Sequence, residues 1–164
     1  MAEEIGIGAE FGKERKYRYC LWRIWDLSKP RVMFVGLNPS TANENKNDNT
    51  ITKVVKIAQY NGFGGVYMMN LFPYVTAYPS ELKRDAESNW INDEWLDKTY
   101  EKCKSVVFCW GNFKEAVGRG DELIRLFNKP LCLAQNKNGS PKHPLYCKDE
   151  TILIPFIYPA YYAK

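Results

Sequence analysis

The chain has 164 residues, 45 % of them hydrophobic and 15 % aromatic, with 23 Lys and Arg against 19 Asp and Glu, a net charge of +4. This is one domain's worth of chain with apolar content enough for a core, which excludes disorder as the main state. No apolar run approaches the roughly 18 residues of a membrane span, and the weak positive balance permits contact with nucleic acid without requiring it.

Met1-Ala2-Glu3-Glu4-Ile5-Gly6 lacks the basic segment and apolar core of a secretory signal. A single domain over 1–164 is expected, with the Gly-rich residues 1–12 as a loose or irregular arm. Residues 17–25 read as an extended segment, apolar on both faces and ended by Lys29-Pro30. The continuous apolar run 31–37 suits a buried parallel strand. Residues 38–49 are polar, hold asparagines at 38, 43, 45, 47 and 49, and form a loop. Ile51, Val54, Val55 and Ala58 make one stripe of a helix over 50–60, closed by Asn61-Gly62. Asp48 or Asn49 caps it, with Asn49 the preferred cap and Asp48 open to a second role.

A strand over 65–70 follows, then a loop over 71–79 with Pro73 and Pro79 as breakers, and a helical turn over 80–83. Helices are expected over 89–103 and 114–127, and strands over 105–110, 131–134 and 151–157, with a polar loop over 135–144. Strands alternating with helices define an α/β chain: a three-layer α/β/α sandwich around a mostly parallel central sheet. In such folds the ligand sits in a crevice beyond the carboxyl ends of the strands.

Lys13, Arg15, Lys16, Arg18 and Arg23 form one basic stretch, and Lys137, Lys142 and Lys148 a looser one; both read as solvated faces. Cys20, Cys103, Cys109, Cys132 and Cys147 are odd in number and contain no C-x-x-C pair, so no metal site is expected and a reducing cytoplasm is the natural compartment. Tyr158, Tyr161 and Tyr162 read as a tail on the chain's own core, with a partner surface as the alternative.

The expected strands all discharge polar groups at the same end. The first gives Gly36-Leu37-Asn38-Pro39-Ser40-Thr41 and the second Asn70-Leu71-Phe72-Pro73. The later ones give Trp110-Gly111-Asn112, with Trp110 assigned to the core, and Asn136 followed by Pro141-Lys142-His143-Pro144. An amide at the rim, such as Asn70, offers a donor and an acceptor side by side, which suits the edge of a base. His143, the only histidine, sits in a proline-braced loop facing these asparagines.

These segments, with Asp48-Asn49-Thr50-Ile51 and the continuation Pro144-Leu145-Tyr146, closely resemble an uncharacterised bacterial and phage family, the domain-of-unknown-function family 1643 (DUF1643), over about 17–156. A more distant resemblance is to the uracil-DNA glycosylase superfamily. Its members carry a Gly-x-(Asp/Asn)-Pro segment after the first core strand, a base-reading Asn after an apolar strand, a Leu-Trp-Gly strand end and a final His-Pro loop. Here Gly36-Leu37-Asn38-Pro39, Asn70, Trp110-Gly111 and His143-Pro144 stand in that order. The resemblance implies that Asn38 holds the water, Asn70 hydrogen-bonds the base and His143 donates to a pyrimidine oxygen as negative charge develops. Gly36, Pro39, Ser40, Thr41, Phe72, Asn112 and Lys142 are the further candidates for contact with the ligand.

The chain also departs from that superfamily. Ser40 and Thr41 stand where uracil-specific members have a thymine-excluding Tyr, and Leu145-Tyr146 replaces Ser-Pro after the His-Pro pair. An amide is no base near neutrality, so Asp48 is the local carboxylate that would orient or activate water. The function implied is cleavage of the N-glycosidic bond of a base, modified or not, in nucleic acid, with no cofactor. The alternatives are a non-catalytic nucleotide or nucleic-acid binder and an N-glycosidase or transferase acting on free nucleosides or nucleotides. The expected partner is nucleic acid or nucleotide rather than a membrane.

Overall fold

The structure, a computed structural model, describes residues 5–158. One seven-stranded sheet runs through it: β1 (Gly6–Phe11), β2 (Arg18–Ile24), β3 (Arg31–Gly36), β4 (Gly65–Asn70), β5 (Val106–Phe108), β6 (Leu131–Cys132) and β7 (Ile154–Pro155). The spatial order is β1-β2-β4-β3-β5-β6-β7. The four central strands are mutually parallel, whereas β1, β2 and β7 run antiparallel to their neighbours. The sheet is therefore mixed, not mostly parallel: three strand pairings are parallel and three antiparallel.

Among the described residues three α-helices cover the sheet: α1 (Asn49–Tyr60), α2 (Ala86–Cys103) and α3 (Arg119–Ile124). Side chains alternate along each strand, so the sheet has two apolar faces. Val32, Phe34, Val66, Met68 and Val107 meet Ile51, Val54, Ile57 and Ala58 of α1. Met33, Val35, Met69, Val106 and Phe108 meet Leu96 and Cys103 of α2 and Leu123 and Ile124 of α3. Among the described residues no helix is long and apolar enough to cross a membrane. All five thiols are free, four of them buried.

Several elements differ from the expectation. Within the expected loose arm, residues 6–11 form β1, which pairs antiparallel along β2, while residues 1–4 lie outside the described residues. The expected helix over 114–127 is broken: a 3-10 turn at Lys114–Ala116 ends in extended Val117, and Gly118, at φ 87°, starts α3. Helix α2 begins three residues before Asn89, because the Asp85 carboxylate accepts from the Glu87 N–H. The last three strands are shorter than expected, since the chain leaves the ladder to build loops. Trp110 lies in the core, its ring 4.7 Å from that of Phe108. Tyr158 packs against the same cluster, whereas Tyr161 and Tyr162 lie outside the described residues.

Candidate ligand cavity

Strands β3 and β5 are neighbours, but the chain leaving β3 turns through α1 to β4 on one side, and the chain leaving β5 turns through α3 to β6 on the other. Such a reversal opens a crevice at the carboxyl ends of the strands. A cavity of about 350 Å³ lies there. It is walled by the end of β3 and the turn after it, the end of β4, the start of α1 and the loop carrying His143. That volume is near the lower end of the roughly 300–1,000 Å³ found for small-molecule sites.

Of the candidates named from sequence, Gly36, Asn38, Pro39, Ser40, Asp48, Asn70 and His143 line this cavity. Thr41, Phe72, Asn112 and Lys142 do not. Thr41 points to solvent, and Phe72, 2 % exposed, belongs to the core on the face opposite α1. Asn112 is exposed and accepts a hydrogen bond from Asn138 Nδ2 at 2.7 Å. Lys142 is half-buried beside the cavity, its backbone N–H tied to the Ala134 carbonyl at 2.9 Å.

The parallel register places Gly36 beside Asn70. The two chains stay paired beyond the strands, with Leu71 N–H donating to Gly36 O and Phe72 N–H to Leu37 O. Asn70 is only 3 % exposed, and its Nδ2 has no hydrogen-bond partner. Its backbone carbonyl is held by Asn92 Nδ2 of α2 at 2.9 Å. Asn38 spends its amide hydrogens on the Pro39 and Thr76 carbonyls, at 2.9 and 2.7 Å, which leaves Oδ1 as an acceptor.

Asp48, not Asn49, is the N-cap of α1: Oδ1 accepts from Ile51 N–H at 2.9 Å. It does so while lining the cavity, so its two readings are not exclusive. His143 is held by its loop. Gly111 turns at φ 81° and donates its N–H to the Pro141 carbonyl, and a Cβ on Gly111 would stand 3.3 Å from that of His143. His143 Nδ1 accepts from Leu145 N–H at 3.2 Å, which assigns the ring proton of the neutral imidazole to Nε2 as a donor. Burial lowers the imidazole pKa, opposed by the negative charge of Asp48.

The sequence reading missed Arg18. Sequence alone puts it, with Arg23, on a solvated face, yet the two are 3 % and 5 % exposed. The β1–β2 register shifts between Glu10, opposite Cys20, and Phe11, opposite Arg18, so β2 carries one extra residue there. A bulge of this kind re-aims side chains, and it brings Arg18 to the α1 face, where Nη1 donates to the Ala42 carbonyl at 3.2 Å. No pattern in the sequence marks that extra residue. Burial lowers the Arg18 pKa to about 10, opposed chiefly by Asp48, so the side chain remains cationic at neutral pH. Leu37, Thr50, Ile51, Met68, Thr76, Ala77, Pro79, Cys109 and Phe113 complete the lining and are not among the residues expected there. Among the described residues, no group of three or more His, Cys, Asp or Glu side chains stands together as a metal site.

The model of a family described as protein of unknown function (DUF1643) matches residues 18–145. No curated protein and no solved structure matches the chain.

Proposed function

The chain belongs to the DUF1643 family, and from the cavity described above we propose that it is an N-glycosidic hydrolase acting on a base in nucleic acid, on a fold like that of the uracil-DNA glycosylases. One observation carries the reading: Asn38, Asp48, Asn70 and His143, drawn from four separate segments, line one cavity of about 350 Å³.

Each group has a task in that chemistry. The base leaves as an anion while the sugar becomes oxocarbenium-like, so fixed donors aimed at the departing base lower the barrier. Asn70 Nδ2, buried and without a partner, is one such donor. His143 Nε2–H is the other, because Leu145 N–H occupies Nδ1. Asn38 Oδ1 holds a water, and Asp48 accepts its proton as the water oxygen bonds to the anomeric carbon and the C–N bond breaks. The departing base takes up a proton from solvent. A base within a duplex must first be flipped into the cavity.

The test is a panel of oligonucleotides carrying varied modified bases, assayed for alkali-labile abasic sites. Strand breaks at one base type, lost in His143→Ala and Asn70→Ala, support the reading. Saturable binding without product across the panel overturns it in favour of a non-catalytic binder.

A further inference from the structure

Arg18 and Arg23 lie on the same face of the sheet and are buried to nearly the same degree, yet their donors are used very differently. Arg23 donates to Asn47 Oδ1 and to the carbonyls of Gly8, Trp22, Asn43 and Lys46. Its guanidinium is consumed in fastening the loop before α1. The Arg18 side chain makes a single hydrogen bond among the described residues, from Nη1 to Ala42 O, and its Nε is buried with no partner. Asp48 influences it electrostatically, but no carboxylate oxygen lies within 4.0 Å of it among the described residues. A buried charge left in this condition is costly unless something pairs with it. The unpaired guanidinium lines the same cavity as Asn70 and His143.

The hydrolytic reading gives Arg18 nothing to do: a neutral base is read by Asn70 and His143. The cavity wall beside it includes Thr50 and Ile51 in the first turn of the 12-residue helix α1. That helix start is already capped by the Asp48 carboxylate, which takes the Ile51 N–H, so the positive charge open to a ligand is that of Arg18. Arg18 lines the cavity with a planar guanidinium of which only Nη1 is engaged, and a guanidinium with unused donors is suited to phosphate oxygens.

We propose that Arg18 is an anion subsite inside the cavity and that it takes the phosphate monoester of a nucleotide whose base is held by Asn70 and His143. The subsite rests on the reading of the cavity as a base site only for the identity of what is attached to the phosphate. A phosphomonoester is carried by a free nucleoside monophosphate and by the terminal nucleotide of a strand, but not by an internal nucleotide.

The experiment is calorimetric titration of the full chain with inorganic phosphate, then with a nucleoside, its 5′-monophosphate, and short oligonucleotides with and without a 5′-phosphate. Wild type, Arg18→Gln and Arg18→Lys are compared, each checked for folding by thermal melting. Saturable phosphate binding that weakens tenfold or more in Arg18→Gln, and less in Arg18→Lys, supports the subsite. Preference for the free monophosphate names a free nucleotide as the source, and preference for the 5′-phosphorylated oligonucleotide names a strand end. Because Arg18→Gln can fail to fold, the Arg18 Nε–Hε resonance of the wild type is followed in parallel by NMR; a saturable shift with phosphate supports the assignment. No phosphate binding, equal binding of phosphate and acetate, or a resonance that phosphate leaves in place overturns it. Base release that proceeds without any dependence on a phosphomonoester also overturns it while leaving the hydrolytic reading intact. Phosphate binding without base release supports the subsite and fails only the hydrolysis.

Discussion

Gly36 and Asn70 sit side by side in the β3–β4 register so closely that a Cβ on Gly36 would stand 2.9 Å from Asn70 Oδ1 and 2.8 Å from Met68 Cε. The Asn70 amide occupies the space that a side chain at position 36 would need. In Gly36→Ala the methionine terminus can swing away, but the amide must rotate or shift, which moves the group that lines the cavity. The variant is expected to fold and to lose base release about tenfold or more, which is about 1.4 kcal/mol in the barrier. Steady-state product formation beside a thermal melt checks this, and wild-type turnover would show that the placement of the amide does not matter.

Asp48 serves the helix through one oxygen, Oδ1, bonded to Ile51 N–H at 2.9 Å, and faces the cavity as a carboxylate. Two substitutions separate these tasks. Asn caps a helix about as well as Asp, whereas loss of a cap to Ala costs about 1 kcal/mol. Asp48→Asn is therefore expected to keep its urea midpoint and lose hydrolysis about a hundredfold or more. Asp48→Ala is expected to lose both. Full activity in Asp48→Asn would reduce Asp48 to a cap.

The strands that build the cavity were legible in the sequence because each is a short apolar run that meets a polar residue at the same end. Strand β4 has the bounds that its composition predicts, and Gly36, Asn38, Asn70 and His143 meet where the parallel strands finish. Phe72 and Asn112 were misplaced for a related reason: proximity to a strand end in sequence does not say which way a loop residue turns. Arg18 was illegible for a stronger one. Its side chain is buried by a one-residue shift in the β1–β2 pairing, and β1 itself lies in a Gly-rich stretch that carries little apolar signal. Charge counted along the chain read as a solvated face what the bulge turns inward.

His143 makes the protein sensitive to mild acid. Its folded pKa is lowered from 6.5 by burial. Above about pH 7.5 the imidazole is neutral in both folded and unfolded chains and adds no slope. As pH falls through 6.5, the unfolded chain binds the proton first, so stability declines until the folded site protonates too. Protonation at Nδ1 also opposes a donor to the Leu145 N–H and so breaks the 3.2 Å hydrogen bond that starts the turn after His143. Urea midpoints measured from pH 8 to 5 are expected to be flat at first and then fall, with a smaller fall in His143→Asn. Identical profiles in the two proteins would remove His143 as the cause.

Arg23 sets the position of the cavity from behind it. Its Nε holds Asn47 Oδ1 at 2.7 Å, one residue before the Asp48 cap, and its Nη2 holds the Asn43 carbonyl at 2.7 Å. The loop over 43–47 contains few apolar anchors of its own, so these bonds fix how the chain enters α1. Arg23→Met keeps much of the side-chain volume, removes every one of the donors and takes away the Arg23 bonds to the Asn43 carbonyl and Asn47 Oδ1. The expected loss is about 2–4 kcal/mol, from these hydrogen bonds to a charged group. Arg23→Lys is expected to recover little, because a single ammonium cannot reach acceptors arranged around a planar fork. Loss of the loop's anchorage also predicts faster proteolytic cleavage near Lys46, which follows local opening rather than global unfolding. Urea unfolding with limited trypsin digestion checks both effects. If Arg23→Met keeps wild-type stability and the loop stays protected, the entry into α1 is held by the Asp48 cap and the Arg15–Glu44 pair instead, and the two buried arginines do not divide their work between support and ligand.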